Sequence, residues 1–320
     1  MNVCAMKNIL NSSSYCSATN KGAFMVNYQL VSDYKFNETY RESFNELAKL
    51  VFGIDFKKWY EKGCWNDNYI CYSFADGDQI IANASISKMT IVSNGKEYHA
   101  IQVGTVMTHP DYRNQGLSKK LMDHIIEQYE KEYDFIHLFA NDSVLDFYPK
   151  FGFKRVSESR FSLDISDLRR QPAQSITLRR LNTDNKEDYQ IIESLATKRI
   201  PVSSILGVKN NEHLLMFYFI LVFNDAVHYI EEEDVIVIFR QEDTQLHIFD
   251  IVSKKRMDID TILKCIVSTD IEMIHFYFTP DYDDKKIQTE FITEGVDALF
   301  VRPLLNDATK HFLFPLTSHA

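Results

Sequence analysis

The stretch VMTHPDYRNQGLS, residues 106–118, decides how this chain of 320 residues is interpreted. It continues the strand-like run Val103–Thr108, passes through a turn, and enters a helical pattern that starts at Leu117. The first N–H groups of a helix have no intrahelical partners and lie at the positive end of the helix dipole. A strand, a loop and a helix N-terminus in this order can therefore bind a phosphate group, although the loop alone fits a plain helix cap equally well.

Three residues of this loop suit a phosphate ligand. Gly116 has no Cβ, so the backbone can approach the ligand closely. Arg113 adds positive charge, and Ser118 offers a hydroxyl group that can donate a hydrogen bond.

A second stretch, NDSVLDFYPKFGF, residues 141–153, follows the short apolar strand predicted at Asp134–Ala140. An asparagine ends that strand, Tyr148 follows seven residues later, and Gly152-Phe153 closes the segment. Taken separately, Asn141 fits the N-cap of a short helix that begins at Ser143. Tyr148 taken separately fits a packed aromatic residue whose hydroxyl binds a backbone carbonyl.

Together the two stretches resemble motifs A and B of the GNAT superfamily of N-acetyltransferases. The first matches the family pattern Arg/Gln-x-x-Gly-x-Gly/Ala, with one departure at Ser118, where glycine or alanine is usual. The resemblance covers residues 26 to about 165 and implies a site for acetyl-CoA, with the loop around its pyrophosphate. The residues that it implies as cofactor-binding are Val106, Met107, Thr108, Arg113, Asn114, Gln115, Gly116, Leu117, Ser118 and Asn141.

The same resemblance implies how the reaction is catalysed. Tyr148 is expected near the thioester sulfur as the general acid that protonates the leaving thiolate. Backbone N–H groups around Met107 are expected to stabilise the negative charge that develops on the carbonyl oxygen.

The predicted elements divide the chain into two similar halves. The first half reads β-α-α-β-β-β-α-β-α-β, with helices at Glu38–Val51 and Leu117–Tyr129. The second half has nearly the same order, with a helix at Glu187–Lys198 and a strand at Gln245–Ser253. We predict an α/β (α+β) GNAT fold, a mixed and mostly antiparallel central sheet flanked by helices, present twice in tandem. The predicted segments are a disordered tail (1–24), a GNAT domain (25–167), a linker (168–175) and a GNAT-like domain (176–320).

The second half lacks the features of the phosphate loop. Residues 254–258, KKRMD, stand where the loop is expected and contain no glycine, and Pro280–Asp284 does not match the second motif. We predict a degenerate domain that binds no CoA and either completes the acceptor pocket or joins two copies into a homo-oligomer. Its three basic residues fit a solvated turn.

No carboxylate stands where a general base is expected. Many GNAT enzymes carry a glutamate on the strand before motif A, whereas this strand carries Gln102. The remaining candidates are water, His109, His137 and the terminal carboxylate of Ala320. Some tandem acetyltransferases, such as the enhanced-intracellular-survival group, use a terminal carboxylate. The C-terminal segment 314–320 is apolar enough to dock on the protein.

A group of aromatic residues follows the first helix. In the GNAT family this region lines the acceptor pocket, where aromatic rings can hold an amine by cation–π contact. Packing in the core is the other interpretation of these residues, which are Trp59, Tyr60, Trp65 and Phe74.

Composition excludes several classes of protein. A net charge of −10 argues against nucleic acid or an anionic membrane as the main partner and permits a cationic acceptor. The longest apolar run, near Leu214–Phe223, has about half the length that a membrane span needs. The five cysteines are odd in number and lack metal spacing, which predicts a reduced, cytoplasmic protein without a metal site.

The sequence therefore predicts an acyltransferase that moves an acetyl group from acetyl-CoA to a small-molecule or peptide amine. Neither motif contains a cysteine, which favours direct attack in a ternary complex. The alternative is a non-catalytic CoA-binding module with a regulatory or interaction role, because no base is identified. The acceptor stays open among a polyamine, an antibiotic, an amino acid and a protein terminus.

Overall fold

The computed structural model describes residues 28–167, 177–282, 286–293, 297–304 and 310–320. The described residues form two compact units, of which the first contains 28–86 together with Gly104–Gln128, and the second contains the remaining described residues. The predicted tail 1–24 and the predicted linker 168–175 lie outside the described residues. The domain boundaries drawn from the sequence stay a prediction.

The first unit begins with a strand and two helices. Its elements are β1 (Gln29–Ser32), α1 (Glu38–Phe52), α2 (Lys57–Glu61), β2 (Tyr69–Asp76), the start of β3 (Gln79–Ser93), the end of β4 (Lys96–Thr108) and α3 (Leu117–Tyr129). Helix α1 starts where the side chain of Asn37 accepts a hydrogen bond from the backbone of Tyr40, and it ends at Gly53 in the left-handed conformation. The helices predicted at Glu38–Val51 and Leu117–Tyr129 are confirmed, within one residue at each end.

The second unit contains the remaining strands and helices. Its strands after β4 are β5 (Phe135–Ala140), β6 (Lys154–Val156), β7 (Ser159–Asp164), β8 (Leu178–Arg180), β9 (Leu206–Lys209), β10 (Val227–Ile230), β11 (Val235–Glu242), β12 (Gln245–Ser253), β13 (Met273–Phe276), β14 (Ile287–Phe291) and β15 (Ala298–Arg302). Its helices are α4 (Lys186–Lys198), α5 (Glu212–Phe217), which continues as a π-helical turn over Tyr218–Val222, and α6 (Ile259–Ile266). The predicted helix over Glu187–Lys198 and strand over Gln245–Ser253 are confirmed.

The strands form two mixed, mostly antiparallel sheets. The first has the order β1-β2-β3-β4-β5-β15-β6, with β9 paired to β3, and the second has the order β14-β7-β13-β12-β11-β10-β8. Each sheet contains one parallel pair joined through a helix, β4-α3-β5 in the first and β12-α6-β13 in the second. This arrangement confirms the predicted fold class of two similar α/β halves.

The two halves of the chain exchange strands. Strand β15, from the second half, pairs antiparallel with both β5 and β6 in the first sheet. Strand β7, from the first half, pairs with β13 in the second sheet, and its Phe161 and Leu163 pack in that sheet's core. Strands β6 and β7 follow each other closely in the chain and yet enter different sheets.

The apolar run near Leu214 is buried, with Leu215 and Phe219 fully covered. Among the described residues, no helix has both the length and the apolar character that a membrane crossing requires.

Candidate active site

The loop between β4 and α3 has the backbone shape expected of a phosphate cradle. Arg113 is extended, and both Asn114 (φ 63°) and Gly116 (φ 74°) are left-handed, so the chain turns sharply before the helix begins at Leu117. Asparagine and glycine are the residues that adopt this conformation most readily. Residues 113–116 are exposed, whereas Leu117 is buried and anchors the first turn of the helix.

Side-chain hydrogen bonds fix the two ends of this loop. The hydroxyls of Thr108 and Ser118 lie 2.8 Å apart, which ties the end of β4 to the first turn of α3. The Tyr28 hydroxyl donates to Gln115 Oε1 at 3.1 Å, and the Tyr112 hydroxyl donates to Asp76 at 3.0 Å. Ser118, the departure from the family pattern, therefore has a structural partner, and α3 presents the N–H groups of its first turn behind an open loop.

The second motif lies in the other unit, and Asn141 caps its first turn. Asn141 Oδ1 accepts hydrogen bonds from the Ser143 backbone at 3.0 Å and from the Ser143 hydroxyl at 2.5 Å. The short helix predicted to begin at Ser143 is wrong, because the segment forms two short 3-10 turns, Asp142–Val144 and Tyr148–Phe151. The N-cap interpretation of Asn141 is confirmed, and its role towards a cofactor stays a prediction.

Tyr148 is buried among aromatic rings. Its ring centroid lies 5.2 Å from that of Phe147, 6.3 Å from Phe153 and 5.9 Å from Phe300 of β15. Burial raises the pKa of Tyr148 to about 12, and the charge of Asp297 adds to the effect. Among the described residues its hydroxyl has no hydrogen-bond partner, so the expected bond to a backbone carbonyl is not formed there.

Position 152 of the same motif requires glycine. It is left-handed (φ 79°), and a Cβ at this position would lie 2.6 Å from Arg302 Nη1. Arg302, on β15, donates to the carbonyl of Phe151 and pairs with Glu130 at 2.8 Å. The second half of the chain thus fixes the end of the second motif.

Asp297 was not found from the sequence. It stands immediately before β15, and its charge contributes to the raised pKa values of both Tyr148 and Tyr218. Its own pKa is raised by burial and by Asp142. No sequence motif marks this position, because only the insertion of β15 beside β5 brings it to the second motif.

The histidines considered as bases differ in their surroundings. His137 is fully buried, and burial lowers its pKa to about 3, with a further contribution from His319. Gln102, also fully buried, directs its side-chain nitrogen at His137 Nε2 (2.9 Å) and at the Ser318 carbonyl (3.0 Å). His137 is therefore neutral and sealed in the core. His109 lies in the turn, where Nδ1 accepts from the backbone of Asp111.

The C-terminal segment docks on the protein, as predicted. Phe314 stacks on His137 at 5.2 Å, and Thr317 and Ser318 are fully buried. The Tyr218 hydroxyl donates to the carbonyl of His319 at 3.2 Å, and Ala320 is exposed. The tail is held up to His319, and Ala320 is exposed.

The counterpart of the phosphate loop in the second half is filled by the protein's own charges. Asp258 caps α6, where its carboxylate accepts from the Asp260 backbone and thus occupies the position of an anion. The three basic residues before it pair with carboxylates: Lys254 with Asp234, Lys255 with Glu233, and Arg256 with Asp281. The prediction of a solvated basic turn is confirmed.

The tryptophans after the first helix are core residues. Trp59 and Trp65 are 1% and 6% exposed, and Trp65 packs against Phe44 with ring centroids 5.3 Å apart. Tyr60 is half-buried, and the guanidinium of Arg41 lies 4.0 Å from its ring centroid, where a ligand cation would otherwise bind. Core packing is therefore confirmed for the tryptophans.

Comparison with known families matches the region that carries both motifs. Residues 34–156 match the model of an acetyltransferase (GNAT) domain. These residues are similar to a GNAT domain. A comparison with curated proteins finds no match.

Solved structures share the fold over most of the chain. A probable N-acyltransferase from Enterococcus faecalis, described as a conserved protein of unknown function, is 14% identical with a TM-score of 0.58 and covers 87% of this chain and 72% of its own. A GCN5-related N-acetyltransferase from Kribbella flavida is 16% identical (TM-score 0.54; 86% and 71% covered), and Eis1 from Mycobacterium abscessus is 13% identical (TM-score 0.55; 82% and 70%). At these identities the likeness shows a shared fold that extends beyond the GNAT domain.

Proposed function

We propose that this protein is an acetyl-CoA-dependent N-acetyltransferase that transfers the acetyl group directly to an amine in a ternary complex. The observation that carries the proposal is the loop 113–118, which contains two left-handed residues and lies in the region that matches a GNAT domain. A hydrogen bond between the hydroxyls of Thr108 and Ser118 joins the strand before this loop to the helix after it. The donor supplies an activated thioester, and the chain supplies binding, orientation and hydrogen bonds.

The roles in donor binding follow from what each part of the loop offers. The N–H groups of the first turn of α3 and the side chains of Arg113 and Ser118 would hold the pyrophosphate. Asn114, Gln115 and Gly116 give the loop its open shape, and Leu117 fixes it to the core. Backbone groups of Val106, Met107 and Thr108 would pair with the pantetheine arm, and Asn141 would contribute its side-chain amide.

In the proposed reaction the amine nitrogen bonds to the acetyl carbon, the carbon–sulfur bond breaks, and the sulfur leaves as a thiolate. Tyr148 would donate a hydrogen bond to that sulfur, since its raised pKa keeps the phenol protonated. The N–H groups near Met107 would stabilise the negative charge on the carbonyl oxygen.

We assign the role of base to the terminal carboxylate of Ala320. The tail is held by Gln102 and Tyr218, and its last residue is exposed. His137 and His319 are buried, and their pKa values of about 3 make them weak proton acceptors. The acceptor is a small-molecule or peptide amine, and the net charge of −10 favours a cationic one.

The test is thiol release from acetyl-CoA across a panel of polyamines, aminoglycosides, amino acids and peptide amines. Amine-dependent release with a mass increase of one acetyl group on the amine would support the proposal. Binding of CoA by calorimetry without turnover on any amine would favour the non-catalytic module. No heat with CoA would reject both functions.

A matched pair of glycine variants tests the loop itself. Gly116 (φ 74°) and Gly95 (φ 77°) are both left-handed, and a Cβ on either would meet open space. Gly116→Ala and Gly95→Ala therefore carry the same backbone cost. We expect only Gly116→Ala to weaken CoA binding, by roughly tenfold, because only there does the backbone approach a phosphate. Equal affinity in the two variants would contradict the assignment of the loop.

A further inference from the structure

One residue of β4 has a backbone conformation that its side chain disfavours. Thr105 is left-handed (φ 49°) in the middle of a strand. The other non-glycine residues with positive φ in the described chain are all aspartate or asparagine, which tolerate this conformation. A β-branched residue does not, and it persists in such a conformation only where its surroundings hold it.

Two buried side chains hold Thr105 in place. The amide nitrogen of Asn83 donates to the Thr105 carbonyl at 2.9 Å. The Tyr69 hydroxyl lies 3.0 Å from the Thr105 hydroxyl. The backbone and the side chain of the strained residue are therefore both fixed.

Asn83 is itself oriented by hydroxyl groups. Ser73 Oγ donates to Asn83 Oδ1 at 2.8 Å, and the second N–H of Asn83 donates to Ser85 Oγ at 2.9 Å. The Tyr34 hydroxyl lies 2.7 Å from Ser73 Oγ. These partners of its oxygen and nitrogen fix the side-chain amide of Asn83 in one orientation.

The burial of these polar side chains indicates that their role is to orient the amide of Asn83. Asn83, Ser73 and Ser85 are fully buried, and Tyr34 and Tyr69 are 5% and 3% exposed. Burial raises the pKa values of both tyrosines well above the ordinary value, so both phenols keep their protons. An apolar residue would fill the same volume without the desolvation of polar groups. Only an amide, however, can donate to Ser85 and to the Thr105 carbonyl together.

Thr105 immediately precedes the strand end 106–108, whose backbone is assigned to the donor. That strand end is also tied to α3 through the hydroxyls of Thr108 and Ser118. A change of φ at Thr105 would redirect the N–H groups of Met107 and Thr108. We propose that Asn83 and Tyr69 are positioning residues that hold Thr105 left-handed and thereby aim the N–H groups that stabilise the reacting carbonyl. This inference rests on the proposed acyltransferase function.

Positioning predicts a loss in kcat rather than in donor affinity, because the pyrophosphate is held elsewhere, by the loop. We expect Tyr69→Phe to lower kcat about tenfold, with the KM for acetyl-CoA within threefold of the wild type. Tyr72→Phe is the matched control, since Tyr72 is a buried tyrosine of the same strand, 5% exposed, packed on His124. Equal kcat values in the two variants would overturn the proposal.

A double-variant cycle separates positioning from general stability. Glycine adopts the left-handed conformation without side chains that hold it there. Tyr69→Phe should therefore change kcat less than twofold in a Thr105→Gly background. A full tenfold loss in that background would overturn the proposal.

A second readout does not require turnover. Amide hydrogen exchange at Met107 and Thr108 should be about tenfold faster in Tyr69→Phe than in Tyr72→Phe, because the strand end is less constrained. Unchanged exchange would overturn the positioning role even in a protein that acetylates nothing. Absence of wild-type turnover together with faster exchange in Tyr69→Phe would reject the proposed function. It would still support the inference that Tyr69 constrains Thr105.

Discussion

Replacement of Tyr148 by phenylalanine tests how the leaving sulfur is stabilised. Burial raises the pKa of Tyr148 to about 12, whereas an ordinary thiol has a pKa of about 8.5. Complete transfer of the phenolic proton to the thiolate is therefore uphill by roughly 5 kcal/mol. The phenol is expected to keep its proton and to donate a hydrogen bond to the sulfur as charge develops.

Because the phenol keeps its proton, the loss of its hydroxyl should have a limited effect on the rate. A hydrogen bond to a charged group contributes about 1.5–3 kcal/mol, which corresponds to roughly 10–150-fold in rate. Loss of a true general acid would cost up to about 10⁴-fold. We expect Tyr148→Phe to lower kcat within the smaller range and to leave the KM for acetyl-CoA unchanged, because the ring contacts with Phe147, Phe153 and Phe300 remain.

The assay is thiol release measured from pH 6 to pH 10, with Tyr133→Phe as the control. Tyr133 is half-buried, lies four residues after the end of α3 and contacts Tyr129. Because Tyr148 stays protonated in this range, it should add no descending limb to the pH profile. A loss above about 10³-fold, or a descending limb that disappears in Tyr148→Phe, would show full proton transfer and refute the reasoning. A loss below twofold would refute any role for the hydroxyl.

Three further predictions concern the second half of the chain and its tail. Deletion of Ser318–Ala320 should lower kcat by about 10²–10⁴, the range for loss of a general base, and unchanged turnover of a folded variant, or an equal loss in Asp297→Asn, would argue against the terminal carboxylate. Asp250→Asn breaks the ion pair with Arg199 (2.7 Å), whose side chains are 0% and 6% exposed. Urea unfolding should show a loss of about 3–5 kcal/mol, and a loss below 1 kcal/mol would contradict burial of the pair. Burial raises the pKa of Glu158 to about 8 from 4.5. The stability that the protonated Glu158 carboxyl contributes at low pH is therefore lost as the pH rises to about 8. Glu158→Gln should flatten that decline in unfolding experiments at several pH values, and an unchanged slope would contradict it.

The sequence predicted best those elements that local pattern determines. Helix α3 has the predicted bounds because Leu117, Leu121 and Ile125 repeat at helical spacing and are buried on one face. The loop before it was recognisable because Gly116 and Arg113 belong to a local motif. Both features depend on residues that are close together in the chain.

The features that the sequence did not predict depend on distant partners. Strand β15 pairs with β5 across more than 150 residues of chain, and no local signal distinguishes this pairing from one within the second half. Asp297 affects the pKa of Tyr148 only because β15 pairs with β5. The strain at Thr105 was also hidden, because the strand pattern reads normally and the clamp from Asn83 appears only when the strands are assembled.

The strand exchange explains why a half without a phosphate loop is retained. Removal of the second half would leave β5 and β6 without β15, and their N–H and C=O groups on those edges without partners. It would also remove Arg302, which holds the end of the second motif, and Asp297, which acts on Tyr148. The second half therefore completes the sheet that carries the second motif. A chain cut after residue 167 should consequently fail to fold into a smaller enzyme.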